Sequence, residues 1–166
     1  MKRHPLILSL ALAVAVTALF ASCRENNVIY SDTHTFKNNT WMRFEPEVFN
    51  VDVSDSNECY DIYMSARLDT TVFKDGDLPL IINIYNESGE RRMFNGHIQV
   101  RDSENRLLGK TIGPFVDVSA KVTKYFYFNR AGVHRFEIKN NSSKYEMPGV
   151  ANFGLRLEKT TIEYPD

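Results

Sequence analysis

Cysteine and histidine are the side chains in this sequence best suited to nucleophilic or metal chemistry. The chain holds two cysteines, Cys23 and Cys59, and its histidines beyond residue 4 are His34, His97 and His134. No two of these histidines have the His-x-His or His-Glu-x-x-His spacing of a zinc site. Cys59 lies in no recognisable nucleophile motif, so we expect its thiol to be buried and unreactive.

Sequence signatures of other enzyme classes are missing as well. The chain lacks the Gly-x-Ser-x-Gly motif of serine hydrolases, the P-loop and the Gly-x-Gly-x-x-Gly fingerprint. Its densest acidic cluster, within residues 52–58, does not have the alternating ligand spacing of an EF-hand loop. These observations predict a protein that is not an enzyme and holds no metal and no cofactor. A hydrolase with two carboxylates across a cleft is the alternative that the sequence leaves open.

The first 23 residues predict export followed by lipid attachment. Lys2 and Arg3 precede the apolar run Leu6–Phe20, which is typical of a secretory signal and short for a membrane-spanning helix. The segment Phe20-Ala21-Ser22-Cys23 resembles a lipobox, in which small residues precede the cysteine that becomes residue one. We therefore expect Cys23 to carry acyl chains such as palmitate, because two or three chains together anchor a protein stably.

One folded domain is expected after the signal. We assign residues 1–22 to the signal peptide, 23–29 to a lipidated tether, 30–160 to the domain and 161–166 to a C-terminal tail. Without Lys2 and Arg3 the chain has 18 basic and 21 acidic residues, a net charge of −3 that argues against nucleic-acid binding. Apolar residues make up 43% of the sequence and aromatic residues 12%, which suits a globular core.

Alternation of apolar and polar residues indicates β-strands throughout the domain. The predicted strands are Val28–Phe36, Trp41–Val48, Tyr60–Leu68, Leu78–Asn86, Phe94–Val100, Arg106–Ile112, Lys121–Phe128, Val133–Lys139 and a last strand around Phe153–Leu157. Strands with one apolar face bury it by pairing two sheets. We predict an all-β fold, an antiparallel sandwich of about eight or nine strands with Greek-key or jelly-roll connections. A closed barrel is the alternative, because alternation alone does not separate the two.

Outward aromatic side chains are the candidate binding groups. Trp41, Tyr63 and Tyr85 are expected on the surface, where they could contact a protein partner or stack on a sugar. Asp69-Thr70-Thr71 resembles the sequon for O-glycosylation of exported proteins in Bacteroidota, with Thr70 as the acceptor. In the predicted strand register His134 points inward and is interpreted as a core histidine.

The closing segment Met147–Lys159 carries a family resemblance. Its residues Val150, Gly154-Leu155-Arg156-Leu157 and Glu158-Lys159 resemble the pattern of the gliding motility-associated lipoprotein family, GldH. The stretch Leu78–Ile84 and the dipeptide Tyr145-Glu146 depart from that pattern, so the chain resembles a divergent member. In the absence of the family, the two glycines of this segment, Gly149 and Gly154, are explained by a turn and by a close backbone approach.

The resemblance implies a membrane lipoprotein of Bacteroidota that works beside the gliding or type IX secretion machinery, without catalysis. Arg24, instead of Asp, follows Cys23, which fits sorting to the outer membrane, and Arg24–Asn27 contains one acid, which favours the periplasmic face. We therefore expect a noncatalytic accessory or scaffold protein in the cell envelope that binds envelope protein partners. A carbohydrate-binding module displayed on the lipid anchor is the alternative. The sequence does not fix the oligomeric state.

Overall fold

Eleven β-strands form most of residues 27–161, the part of the chain that the computed structural model describes. They are β1 (Val28–Thr35), β2 (Thr40–Met42), β3 (Glu47–Val53), β4 (Cys59–Asp69), β5 (Asp77–Tyr85), β6 (Arg91–Gln99), β7 (Lys110–Ile112), β8 (Phe115–Tyr127), β9 (Gly132–Asn140), β10 (Glu146–Pro148) and β11 (Val150–Thr160). A short 3-10 turn, Lys37–Asn39, separates β1 from β2. The predicted tether residues Val28 and Ile29 belong to β1.

The strand count exceeds the predicted eight or nine because one expected strand is divided in two and the short strand β10 was not predicted. The expected strand Trp41–Val48 is interrupted by a turn in which the Glu45 amide donates to the Met42 carbonyl at 3.2 Å. The closing segment is divided at Gly149, whose φ of +88° ends β10 before β11 begins. The expected strand Arg106–Ile112 is shortened to the three residues of β7.

The strands pair antiparallel in two main sheets and one ribbon. The order in the five-stranded sheet is β1-β11-β4-β8-β7, the order in the four-stranded sheet is β3-β9-β5-β6, and β2 pairs with β10 in the ribbon. Most neighbours in each sheet are distant in sequence, as in Greek-key and jelly-roll connections. The fold is therefore the predicted β-sandwich.

Period-two alternation places the core between the sheets, as predicted. On β4 the buried apolar residues are Tyr60, Ile62, Met64, Ala66 and Leu68, and on β5 they are Leu78, Leu80, Ile82 and Ile84. Phe136 and Ile138 on β9 meet Phe153, Leu155 and Leu157 on β11 in the same core. Burial of these side chains supplies the main free energy of folding.

The sandwich has two ends that matter for function. β1 begins beside Asn27, whose carbonyl accepts from the Lys159 amide at 2.7 Å, and we call this the proximal end. The other end of β1, together with the β2–β10 ribbon, forms the distal end, since the Phe36 amide there donates to the Ala151 carbonyl at 2.9 Å. Eight strand residues at about 3.3 Å each separate the two ends by about 26 Å.

Among residues 27–161, no helix has the length and apolar composition needed to cross a bilayer.

Candidate functional site

The predicted signal, the lipobox and Cys23 lie outside the described residues, so lipidation stays a prediction. Thr70 is half-buried, and its hydroxyl donates to the Pro114 carbonyl at 2.9 Å. Asp69 closes the same turn by accepting from the Thr71 amide at 2.9 Å. Glycosylation of Thr70 also stays a prediction.

Trp41 was expected on the surface, but its side chain is fully buried and is not part of any surface. The indole lies 4.8 Å from the ring of Phe153 and 5.1 Å from that of Phe36, between ring centroids. Its Nε1–H donates to the Glu45 carbonyl at 3.0 Å. The expected outward position was wrong because β2 is a three-residue strand whose inner face closes the distal end of the core.

Tyr63 lies on the outer face of β4, as expected, but its ring is already covered. The guanidinium carbon of Arg156 lies 4.3 Å from the ring centroid and the Lys121 ammonium lies 5.1 Å from it. Arg156 also pairs with Glu158. A sugar ring stacking on Tyr63 would have to compete with these cations.

Tyr85 is half-buried on β5, in the other sheet, so it does not form one platform with Tyr63. Its ring is also covered by a cation, with the guanidinium carbon of Arg135 4.5 Å from the centroid. The structure thus does not join Trp41, Tyr63 and Tyr85 in a single site.

The glycines of the closing segment have structural explanations. A Cβ on Gly154 would lie 2.7 Å from Ser65 Oγ and 2.8 Å from Thr33 Oγ1, so the neighbouring strands β4 and β1 leave room only for hydrogen. A Cβ on Gly149 would lie 2.7 Å from the Phe73 amide nitrogen, and its φ is positive. The residues that carry the family resemblance therefore build the sandwich.

Asp61 is a buried acid on β4, although it alternates in the sequence with Tyr63, Ser65 and Arg67 on the more polar face of that strand. The residue is 5% exposed, and its carboxylate accepts from the Lys121 ammonium and from the Tyr125 amide, the latter at 3.1 Å. The hydrogen bond from the Lys121 ammonium to Asp61 raises the pKa of Lys121 above its ordinary value. Tyr125 has a φ of +51°, and the pairing of β8 with β4 is irregular here, so Asp61 secures a bulge that the sequence did not reveal.

Cys59 and His134 match their predicted roles as buried residues. The Cys59 thiol donates to the Thr160 carbonyl at 3.0 Å. The His134 ring contacts Phe128, with centroids 4.5 Å apart, and its Nε2 lies 2.9 Å from the Arg130 carbonyl oxygen. Within residues 27–161, no three His, Cys, Asp or Glu side chains converge to hold a metal.

Phe44 and Tyr145 form an exposed aromatic pair that the sequence analysis missed. Phe44 is 71% exposed and Tyr145 is 61% exposed, yet their ring centroids lie 5.8 Å apart. The two segments are held together because the Arg43 amide donates to the Tyr145 carbonyl at 2.9 Å and its Nη1 donates to the Ser143 carbonyl at 3.3 Å. Each aromatic stands between a basic and an acidic neighbour in the sequence, and Phe44 lies within the expected strand Trp41–Val48, so the sequence pattern did not single out either ring.

The fold places the chain among all-β sandwich proteins. Residues 28–157 match the family model described as GldH lipoprotein. The chain therefore belongs to the GldH lipoprotein family, as its closing segment predicted, and membership implies a lipoprotein held at the cell envelope.

Solved structures resemble this chain only distantly, and no curated protein matches it. Eiger TNF from S. frugiperda is 11% identical over 86% of this chain and 92% of its own, with a TM-score of 0.37. AlgX from Pseudomonas aeruginosa is 10% identical over 84% of this chain and 28% of its own, with a TM-score of 0.39. The CBM22-1 and GH10 modules of Clostridium thermocellum xylanase 10B are 12% identical over 84% of this chain and 30% of their own, with a TM-score of 0.35.

Proposed function

We propose that this protein is a noncatalytic accessory lipoprotein that is anchored through Cys23 and binds an envelope protein partner at its distal end. The proposed anchor is lipid in the outer membrane, with the domain facing the periplasm. By family, the partner belongs to the gliding or type IX secretion machinery of Bacteroidota. The exposed aromatic pair, Phe44 and Tyr145, is the observation that carries this proposal.

The aromatic pair has the properties of a protein contact surface. Two large rings that touch while both remain mostly exposed leave apolar area in water, and covering that area with a partner is favourable. The guanidinium carbon of Arg43 lies 5.7 Å from the Phe44 centroid and adds a polar rim. Aromatic and arginine side chains together are typical of interface hot spots.

The position of the pair favours a partner over the anchoring membrane. β1 starts at the proximal end, and its length places the distal end about 26 Å further along. A surface there is available to proteins of the envelope while the lipid holds the proximal side. Sugar binding receives less support, because Tyr63 and Tyr85 lie on different sheets and both rings carry cations.

Site-specific photocrosslinking in native membranes tests the proposal. A benzophenone amino acid replaces Tyr145 in one full-length variant and replaces Met93, an apolar residue that is 59% exposed on β6, in the control. We expect the Tyr145 variant to crosslink gliding or type IX components and the Met93 variant not to do so. Adding Cys23→Ala should abolish anchoring and reduce these crosslinks. Identical crosslinks from both positions, or recovery of glycan alone, would contradict the proposal.

A further inference from the structure

A depression at the distal end, whose lining includes the residues that directly follow Phe44 and Tyr145 in the chain, is rich in carboxylates. Its volume is about 520 Å³, and we call it the acidic depression. It is lined by Thr35, Phe36, Lys37, Asn38, Thr40, Met42, Glu45, Glu47 and Glu146. Three carboxylates thus face one ammonium, so the depression carries a net negative charge at neutral pH.

Two of the three carboxylates are available to a ligand. Glu47 is engaged, because its Oε2 lies 2.5 Å from His34 Nδ1. Glu45 and Glu146 form no side-chain hydrogen bond or ion pair with any residue of the range 27–161, and both are exposed. Glu45 directly follows Phe44, and Glu146 directly follows Tyr145. The unpaired carboxylates and the exposed aromatic rings therefore belong to neighbouring residues of the same two segments, although the rings themselves do not line the depression.

An apolar wall completes the depression. Met42 and Phe36 line it, and Phe36 is supported from behind by Trp41, with ring centroids 5.1 Å apart. Methionine adapts its shape to different apolar partners. The depression thus offers both an apolar contact and carboxylates within one concave surface.

We infer that the occupant is a cationic segment of a partner protein, with lysine or arginine directed at Glu45 and Glu146 and an apolar side chain against Phe44 and Tyr145. This inference rests on the proposed function and adds the chemistry of the partner. Complementary charge raises the association rate and suppresses acidic competitors. A membrane is a poorer occupant, because anionic headgroups would be repelled by the carboxylates.

Selection from a displayed library of random peptides of about twelve residues tests the inference on the detergent-solubilised full chain. The enriched peptides are scored by net charge, and fluorescence anisotropy measures the affinity of one of them at low and high salt. Glu45→Gln with Glu146→Gln removes the charge, and Phe44→Ser with Tyr145→Ser removes the aromatic surface. Met93→Ser and Asp52→Asn, on exposed residues of β6 and β3, are the matched controls. Trp41 fluorescence verifies that each variant unfolds at the wild-type temperature.

The inference predicts enriched peptides with net positive charge and at least one large apolar residue. Each double variant should weaken binding by about tenfold or more, the glutamine variant should flatten the salt dependence, and the controls should bind as wild type does. Three results would overturn the inference. The enriched peptides could be neutral or acidic, the wild type could enrich peptides no better than the double variants do, or anionic vesicles could displace the bound peptide in a way that requires Phe44. If such a result is obtained but Tyr145 still gives specific crosslinks, the inferred cationic character of the partner is wrong and the proposed function stands. If the crosslinks fail as well, both are wrong.

Discussion

His34 and Glu47 connect the two sheets of the sandwich. His34 lies on β1 of the five-stranded sheet and Glu47 on β3 of the four-stranded sheet, with Nδ1 and Oε2 2.5 Å apart. The imidazole also stacks on Phe49, with ring centroids 4.2 Å apart. A hydrogen bond to a carboxylate thus closes the edge of the sandwich where β1 meets β3.

Replacing Glu47 should therefore loosen that edge. We expect Glu47→Ala to lower the free energy of unfolding by about 1–2 kcal/mol, since a half-buried charged hydrogen bond is lost. Urea unfolding followed by the fluorescence of Trp41, the single tryptophan, measures the change. Asp52→Ala, an exposed carboxylate on the same strand, should change stability by less than about 0.5 kcal/mol. Equal losses from the two variants would show that the His34 contact is not stabilising.

Gly154→Ala should destabilise the five-stranded sheet. The new methyl group would meet Ser65 Oγ and Thr33 Oγ1, and relieving this overpacking costs about 1–3 kcal/mol. The same urea titration measures it, with Gly76→Ala as the control because a methyl group there would meet nothing within 4 Å. Removing the two hydroxyls by Ser65→Ala and Thr33→Ala should recover part of the loss. A Gly154→Ala protein as stable as Gly76→Ala would contradict the packing argument.

Asp61 should tolerate asparagine better than alanine. Asparagine keeps an oxygen that can accept from the Tyr125 amide, whereas alanine removes the acceptor of both Lys121 and Tyr125. We expect a loss of about 2 kcal/mol for Asp61→Ala and a clearly smaller one for Asp61→Asn. Hydrogen exchange at the Tyr125 amide should be faster in the alanine variant alone. Equal exchange in both variants would mean that the bulge does not depend on this acceptor.

Arg67 and Asp117 should make stability depend on acidic pH. Arg67 Nε and Nη2 each lie 2.7 Å from a carboxylate oxygen of Asp117, and these hydrogen bonds lower the pKa of Asp117 from its ordinary value of 3.8. Because the folded pKa is the lower one, the stabilisation is present above the ordinary value and is lost as the pH falls through the folded pKa. Wild type should therefore exceed Asp117→Asn in stability at neutral pH, with the gap closing in acid.

Urea titrations of both proteins between about pH 7 and about pH 2 measure that gap. Both side chains are substantially exposed, so high salt should reduce the gap at neutral pH. If the stability difference between wild type and Asp117→Asn stayed the same in acid, the effect of the substitution would not come from the charge of Asp117.

The inner faces of the long strands were predictable because side chains on a strand alternate with a period of two. β4 and β5 follow that rule along their whole apolar faces, and His134 takes the inward position on β9 that its register requires. The sequence pattern misleads where the period-two alternation of a strand is interrupted. Asp61 lies where the pairing of β4 with β8 is irregular, and Trp41 lies on a three-residue strand whose partner, β10, is about 100 residues away in sequence.

Local sequence patterns did not predict which residues from distant parts of the chain contact each other. Phe44 and Tyr145 come from separate turns and meet only because β2 and β10 pair. The same is true of the cations over Tyr63, since Lys121 and Arg156 approach it from β8 and β11. Long-range pairing therefore decides which aromatic rings are exposed and which are covered.

The antiparallel pairing of β1 with β11 has a mechanical consequence. Tension between a lipid anchor at the proximal end and a partner at the distal end would pull along the axis of β1. The seven paired residues that join β1 to β11 would then be loaded in shear and would share the force. Failure would require them to rupture together instead of unzipping one by one, so the domain would resist force applied between the anchor and the partner proposed above.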